Sequence, residues 1–151
     1  MLRTMKRRNF LNLMLGSVLA SLVQPWSALA AAWNKAAFET TQLNEAQKNL
    51  AIENEVASQK IEIIAPEKAE NGAIVQIEIK SNIVNTEEIS LLVEKNPTPL
   101  IAHCKFSNGA QPYLVTRIKM AETSEVKVIV KAGNQYFSNT KNVIVLENGC
   151  G

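Results

Sequence analysis

The stretch 73–80, Ala-Ile-Val-Gln-Ile-Glu-Ile-Lys, constrains this chain more than any other. In an extended strand Val75, Ile77 and Ile79 fall on one face and Gln76, Glu78 and Lys80 on the other, because successive side chains point to opposite sides. One buried and one wet face is what an antiparallel sheet permits; a parallel sheet covered on both sides needs a continuous apolar run. The same habit recurs along the chain. Ile61, Ile63 and Ala65 face one way and Glu62 the other, until Pro66 ends the run. Further strand candidates are 88–94, 100–106, 113–120, 126–132 and 136–146. Between them lie turn residues: Asn71-Gly72, the stretch 81–86, Asn96-Pro97-Thr98-Pro99, Ser107-Asn108-Gly109, Glu122-Thr123-Ser124 and Gly133-Asn134. About seven short strands at regular spacing predict a mainly β protein, an immunoglobulin-like antiparallel β-sandwich over 60–146.

The pattern before residue 60 is different. Trp33, Ala36 and Ala37 lie close on one helical face, followed by Leu43, Ala46, Gln47 and Leu50, with Thr41 or Asn44 as a cap for the second half. The segment 31–59 therefore reads as helical, packed across the open end of the sandwich. Residues 1–30 read as a targeting segment. Arg7 and Arg8 precede an apolar run over 10–22, and Pro25 precedes Ala28-Leu29-Ala30, a small-x-small cleavage pattern. The run is too short for a membrane span, and no cysteine near the cleavage point offers a lipid anchor. Twin arginines followed by Asn9-Phe10-Leu11 favour export by the Tat route. The expectation is a periplasmic protein with no membrane anchor in its mature form.

Charge needs the same partition. The whole chain carries 16 Lys and Arg against 14 acidic residues, all glutamate. Four of the basic residues, Arg3, Lys6, Arg7 and Arg8, sit in the first thirty, so the remainder is slightly acidic. A nucleic-acid binder would be basic. The absence of aspartate excludes an aspartate-based calcium loop and a triad that uses one. One histidine and two cysteines do not make the usual four-ligand zinc site. No Cys-x-x-Cys-His haem signature occurs. No metal or cofactor is expected.

The chemistry converges on Asn148-Gly149-Cys150-Gly151, which follows the last strand candidate. Residues past a final strand are usually mobile, and glycine on both sides removes bulk and restriction. Residues 147–151 thus read as a flexible arm that presents the Cys150 thiol. No neighbouring cation activates it, and the adjacent terminal carboxylate disfavours the thiolate. An accessible thiol without activation suits a carrier better than an enzyme. Cys104, in 101–106, shares a strand face with Ala102 and Phe106 and reads as a buried core thiol; a Cys104–Cys150 disulfide is the rival reading. His103 faces the other way and reads as a solvated strand histidine, with a base for Cys150 as its alternative. Asn96-Pro97-Thr98-Pro99-Leu100 is a stiff loop. The run 116–124 carries Arg117 and Lys119 on one face and is a candidate partner surface.

Several of these runs together resemble the SoxY family, the sulfur and thiosulfate carrier of the bacterial Sox sulfur-oxidation system. They are Leu91-Leu92-Val93-Glu94-Lys95-Asn96-Pro97, Thr116-Arg117-Ile118-Lys119-Met120-Ala121-Glu122-Thr123-Ser124, Val130-Lys131-Ala132-Gly133, Ala65-Pro66 with Ala69-Glu70-Asn71-Gly72, and the Gly149-Cys150-Gly151 tail. The twin-arginine leader and the segment 33–38 resemble it too. The resemblance implies a periplasmic sandwich paired with SoxZ, a non-enzyme whose Cys150 carries sulfur covalently. It further implies loading by the SoxAX cytochrome and hydrolysis by SoxB. In some organisms a molybdenum-containing sulfane dehydrogenase follows. The family's usual tail is Gly-Gly-Cys-Gly-Gly; here Asn148 stands at one glycine and another is absent. From Leu146 to Cys150 the arm reaches at most about 14 Å. Two other classes remain open on the residues alone: a thiol-redox or peroxide-reducing enzyme using Cys150 with His103 or Cys104, and a structural sandwich that dimerises through Cys150.

Overall fold

The computed structural model describes residues 34–147. The leader and the tail residues Asn148, Gly149, Cys150 and Gly151 lie outside the described residues.

The strand with the clearest alternation is the middle of a three-stranded sheet. It is β4, Val75–Ser81, whose residues alternate strictly between the core and the outer side. It pairs antiparallel with β2 (Ile61–Ile64) and β7 (Tyr113–Ile118). The opposing sheet has six strands. Its main path is β1 (Glu55–Ala57), β9 (Gln135–Glu147), β8 (Ser124–Ala132), β5 (Thr86–Val93) and β6 (Leu100–Lys105), with β3 (Lys68–Asn71) also paired to β9. Ile77 and Ile79 from the small sheet meet Ile89, Leu91, Val93, Val126, Val128 and Val130 from the large one in a single apolar core. Each such side chain, fully buried, contributes roughly 1.5–3 kcal/mol.

The architecture is the expected immunoglobulin-like sandwich, and all seven expected strands are present. Two short strands join them. β1 and β3 both run parallel to β9, which departs from the purely antiparallel expectation. The β8–β9 hairpin turns on Gly133-Asn134, with Ala132 opposite Gln135 and Gly133 at φ +60°. A glycine at positive φ in the first turn position matches the twist of the flanking strands.

The helical segment differs from expectation in two ways. It is not one stretch but two helices, α1 (Lys35–Glu39) and α2 (Leu43–Asn49), and β1 follows within the same segment. Asn34 caps α1 by accepting from the Ala37 N–H at 3.2 Å. The β-branched Thr40 is extended and ends the helix. Its hydroxyl then accepts from the Gln42 N–H and donates to Glu45; the N-cap of α2 is Gln42, without a side-chain capping bond, and not the expected Thr41 or Asn44. Nor do the helices close the end of the sandwich. They lie on the outer face of the large sheet, where Ala37 and Ala46 pack with Leu92, Leu100 and Ile129. Consequently Ile89, Ser90, Leu91, Leu92 and Val93 are all buried. This strand is covered on both faces, so the expected wet face is missing from it.

Candidate functional site

The long last strand decides where the tail leaves the body. β8 pairs with β9 from Ala132↔Gln135 as far as Ser124↔Val143. Beyond Val143 the strand is held by other means. On one side β3 runs alongside, with Lys68 opposite Ile144 and Asn71 opposite Glu147. On the other, the Thr123 hydroxyl accepts from the Val145 N–H at 2.9 Å and donates to the Val145 carbonyl at 3.4 Å. At the tip, the Gly72 N–H donates to the Glu147 carbonyl at 2.9 Å, and the Met120 N–H donates to the Gly72 carbonyl at 2.8 Å. The loop carrying Met120 and Thr123 is itself fixed. The Asn96 side chain donates to the Lys119 carbonyl and accepts from the Ala121 N–H, both at 2.8 Å. The Ser124 hydroxyl accepts from the Lys95 N–H at 3.1 Å.

Three sequence runs that look unrelated in the chain therefore meet at one end of the sandwich: Asn71-Gly72, Lys95-Asn96, and 119–124. Sequence reasoning took them for turns or a partner surface. The one local signal is that each contains a residue able to cap backbone groups; their convergence on β9 needs the fold. Of the candidate surface residues, Arg117 and Lys119 are exposed, but Met120 and Ser124 are buried and face the body.

The two residues weighed as partners of Cys150 lie elsewhere. Cys104 is opposite Ile89, which is opposite Val130, which is opposite Phe137. His103 follows the same path through Ser90 and Ile129 to Ser138. From Phe137 to Glu147 the strand advances about 33 Å at roughly 3.3 Å per residue. From Glu147 to Cys150 the chain reaches at most about 10 Å. Neither a Cys104–Cys150 disulfide nor a His103–Cys150 dyad fits within one chain.

Cys104 sits half-buried on the core-facing side, and burial pushes its thiol pKa up, which keeps it protonated and inert. His103 is not the solvated histidine expected. Its side chain is 15% exposed, in a recess closed by Leu50, Ile52 and Tyr136. Its Nδ1 lies 3.0 Å from the Ser90 hydroxyl, and its Nε2 lies 3.8 Å from Glu88. Burial lowers its pKa; Glu88 acts against that, and Lys105 and Lys131 add to it. Among the described residues no group of three His, Cys, Asp or Glu is placed to hold a metal ion, and no helix is long and apolar enough to cross a membrane.

The family model described as sulfur oxidation protein SoxY matches residues 46–150. The chain belongs to the SoxY family. The sulfur carrier protein SoxY from Chlorobium limicola f thiosulfatophilum is similar in structure, with a TM-score of 0.63 and 30% sequence identity, over 69% of this chain and 96% of its own. The CARDB domain of a Pyrococcus furiosus protein gives a TM-score of 0.36 at 15% identity, over 58% of this chain and 93% of its own, too slight a likeness to carry an argument. No curated protein matches the chain. The region matched as SoxY begins within helix α2, covers the whole sandwich and extends to Cys150.

Proposed function

We propose that this SoxY-family protein is a periplasmic carrier that tethers thiosulfate-derived sulfur on Cys150 and presents it to the enzymes of a Sox pathway. The observation that carries the reading is the match to the SoxY family model, which extends to residue 150 and so includes the cysteine. Three features support it. The leader carries Arg7 and Arg8 before an apolar run and a small-x-small site, the pattern of a Tat-exported protein. The last strand is held by hydrogen bonds as far as Glu147, three residues before the thiol. His103 and Cys104, the side chains weighed as partners of Cys150, lie toward the far end of β9 from Glu147.

The chemistry divides between carrier and partners. The Cys150 thiolate and the outer sulfur of thiosulfate form an S–S bond, and two electrons pass to a cytochrome complex of the SoxAX kind. Hydrolysis of the adduct by a SoxB-like enzyme breaks the bond between sulfur and the sulfonate. Water supplies the oxygen, sulfate leaves, two protons are released, and a persulfide stays on Cys150. Where a sulfane dehydrogenase is present, that sulfur is oxidised in turn. A second small sandwich subunit of the SoxZ kind pairs with the chain. Tethering keeps the intermediate at high local concentration instead of releasing it between steps.

Intact mass of the protein from thiosulfate-grown periplasm tests this. Reductant-labile adducts of sulfur or thiosulfate size on the Cys150 peptide are expected. An unmodified thiol, or only a disulfide-linked dimer, would overturn the reading.

A further inference from the structure

Every run at the root of the arm is hydrogen-bonded toward one strand end. We infer that Thr123 is a positioning residue for Cys150: it fixes the point from which the arm swings. The inference rests on the carrier reading above.

The geometry is specific. Where β8 stops, at Ser124↔Val143, the next backbone group of β9 that needs partners is Val145. A buried backbone N–H and C=O left unpaired would favour fraying of the strand end. The Thr123 hydroxyl serves both groups, accepting at 2.9 Å and donating at 3.4 Å. It extends the ladder by one rung with a side chain. Thr123 is in turn held in place, because Asn96 braces residues 119 and 121 and the Gly72 carbonyl takes the Met120 N–H. Gly72 also grips Glu147. The brace thus connects the β3–β4 turn, the β5–β6 loop and the β7–β8 loop to the last stretch of backbone before the arm.

The consequence is a tether of defined length. With the root fixed at Glu147, three residues reach Cys150. If the strand frays back to Ile144, six residues do. For a tether longer than the span it must bridge, effective concentration falls as roughly the three-halves power of length, so doubling the length costs about threefold.

Two substitutions separate positioning from folding. Thr123→Val keeps the shape and removes the hydroxyl; Thr123→Ser keeps the hydroxyl. Backbone ¹⁵N relaxation at Leu146 and Glu147 reports order at the root without any sulfur chemistry. Rigid values are expected in the wild type and in Thr123→Ser, and clearly lower ones in Thr123→Val. Loading of Cys150 from thiosulfate, catalysed by extract of thiosulfate-grown periplasm, should slow about threefold in Thr123→Val and recover in Thr123→Ser. Alkylation of Cys150 by iodoacetamide, which needs no docking, should not change. Order retained at Leu146 and Glu147 in Thr123→Val, or loading at the wild-type rate, would overturn the inference. A wild-type protein that never takes an adduct overturns the carrier reading itself, and relaxation at Leu146 and Glu147 then decides by itself whether Thr123 clamps the strand end.

Discussion

Beneath the two helices the six-stranded sheet is covered on both faces; the three-stranded sheet is covered on one. On the large sheet the sandwich core takes Ile89, Leu91 and Val93, and the helices take Leu92, Leu100 and Ile129. On the small sheet the core takes Val75, Ile77 and Ile79, while Ile64, Tyr113 and Val115 stay exposed. Strands of similar sequence thus carry different loads. A side chain on the outer face of the large sheet beneath the helices, such as Leu92 or Ile129, is a core residue, and Ile64, Tyr113 and Val115 on the outer face of the small sheet are not. The Tyr113 hydroxyl donates to Glu78 across that bare face at 2.9 Å, an exposed contact that adds little.

The sharpest break of this comparison is to shorten one outer-face side chain on each sheet. Leu92 is fully buried under the helices. Leu92→Ala removes its buried surface and leaves a cavity between sheet and helix, a loss of about 3 kcal/mol. Val115, 49% exposed, loses almost nothing as Val115→Ala, within about 0.5 kcal/mol. Urea unfolding of the two variants measures both. Equal losses would mean that the helices do not cover the sheet as described.

A smaller effect tests what fastens the helices and the edge strand. Lys127 on β8 pairs with Glu55 on β1, and Glu55 also accepts from the Gln47 side chain of α2 at 3.2 Å. The pair is largely shielded, with exposures of 18% and 24%. Lys127→Met strands the Glu55 carboxylate with one neutral donor, at a cost of about 2 kcal/mol. Adding Glu55→Leu should restore most of that, since two apolar groups need no partners. If the double variant is as unstable as the single one, the pair is not a shielded one.

The sequence showed the small sheet more plainly than the large one, for the same reason. β4 alternates because one of its faces is wet, so its period is visible in Val75, Ile77 and Ile79. β5 reads Ile-Ser-Leu-Leu-Val because both faces are covered, and the adjacent pair Leu91-Leu92 was the available sign that something lies outside it. β1 and β3 were not legible. They have three and four residues, and β3 buries only Ala69, so neither carries a period; pairing with β9 defines them. At the site, Cys150 stands out by its glycines alone. Thr123 does not, because its role depends on Val145, 22 residues away in the chain. Cys104 pointed inward as its strand position implied. His103 pointed outward, and only the fold places Leu50, Ile52 and Tyr136 over it.

The finest test of the covered face is His103. Burial holds its pKa below the ordinary value, Glu88 acts in the opposite sense, and Lys105 and Lys131 reinforce the lowering. In the unfolded chain the ring takes its proton near pH 6.5; in the fold it takes it at lower pH. Between those two values the unfolded state binds more protons, so acidification favours unfolding. The group costs nothing above about pH 6.5, its penalty grows as pH falls, and the penalty levels off below the folded pKa. Carboxylates elsewhere also titrate on acidification, so the measurement is a difference. Wild type and His103→Asn are unfolded in urea between about pH 7.5 and 5.5, the range that brackets the ordinary value. The stability of the wild type relative to the variant should decline through that range. On the small sheet's bare face a histidine would show no such decline. A flat difference at His103 would mean that water reaches the recess and that the outer face of the large sheet is wetter at β6 than its helices imply.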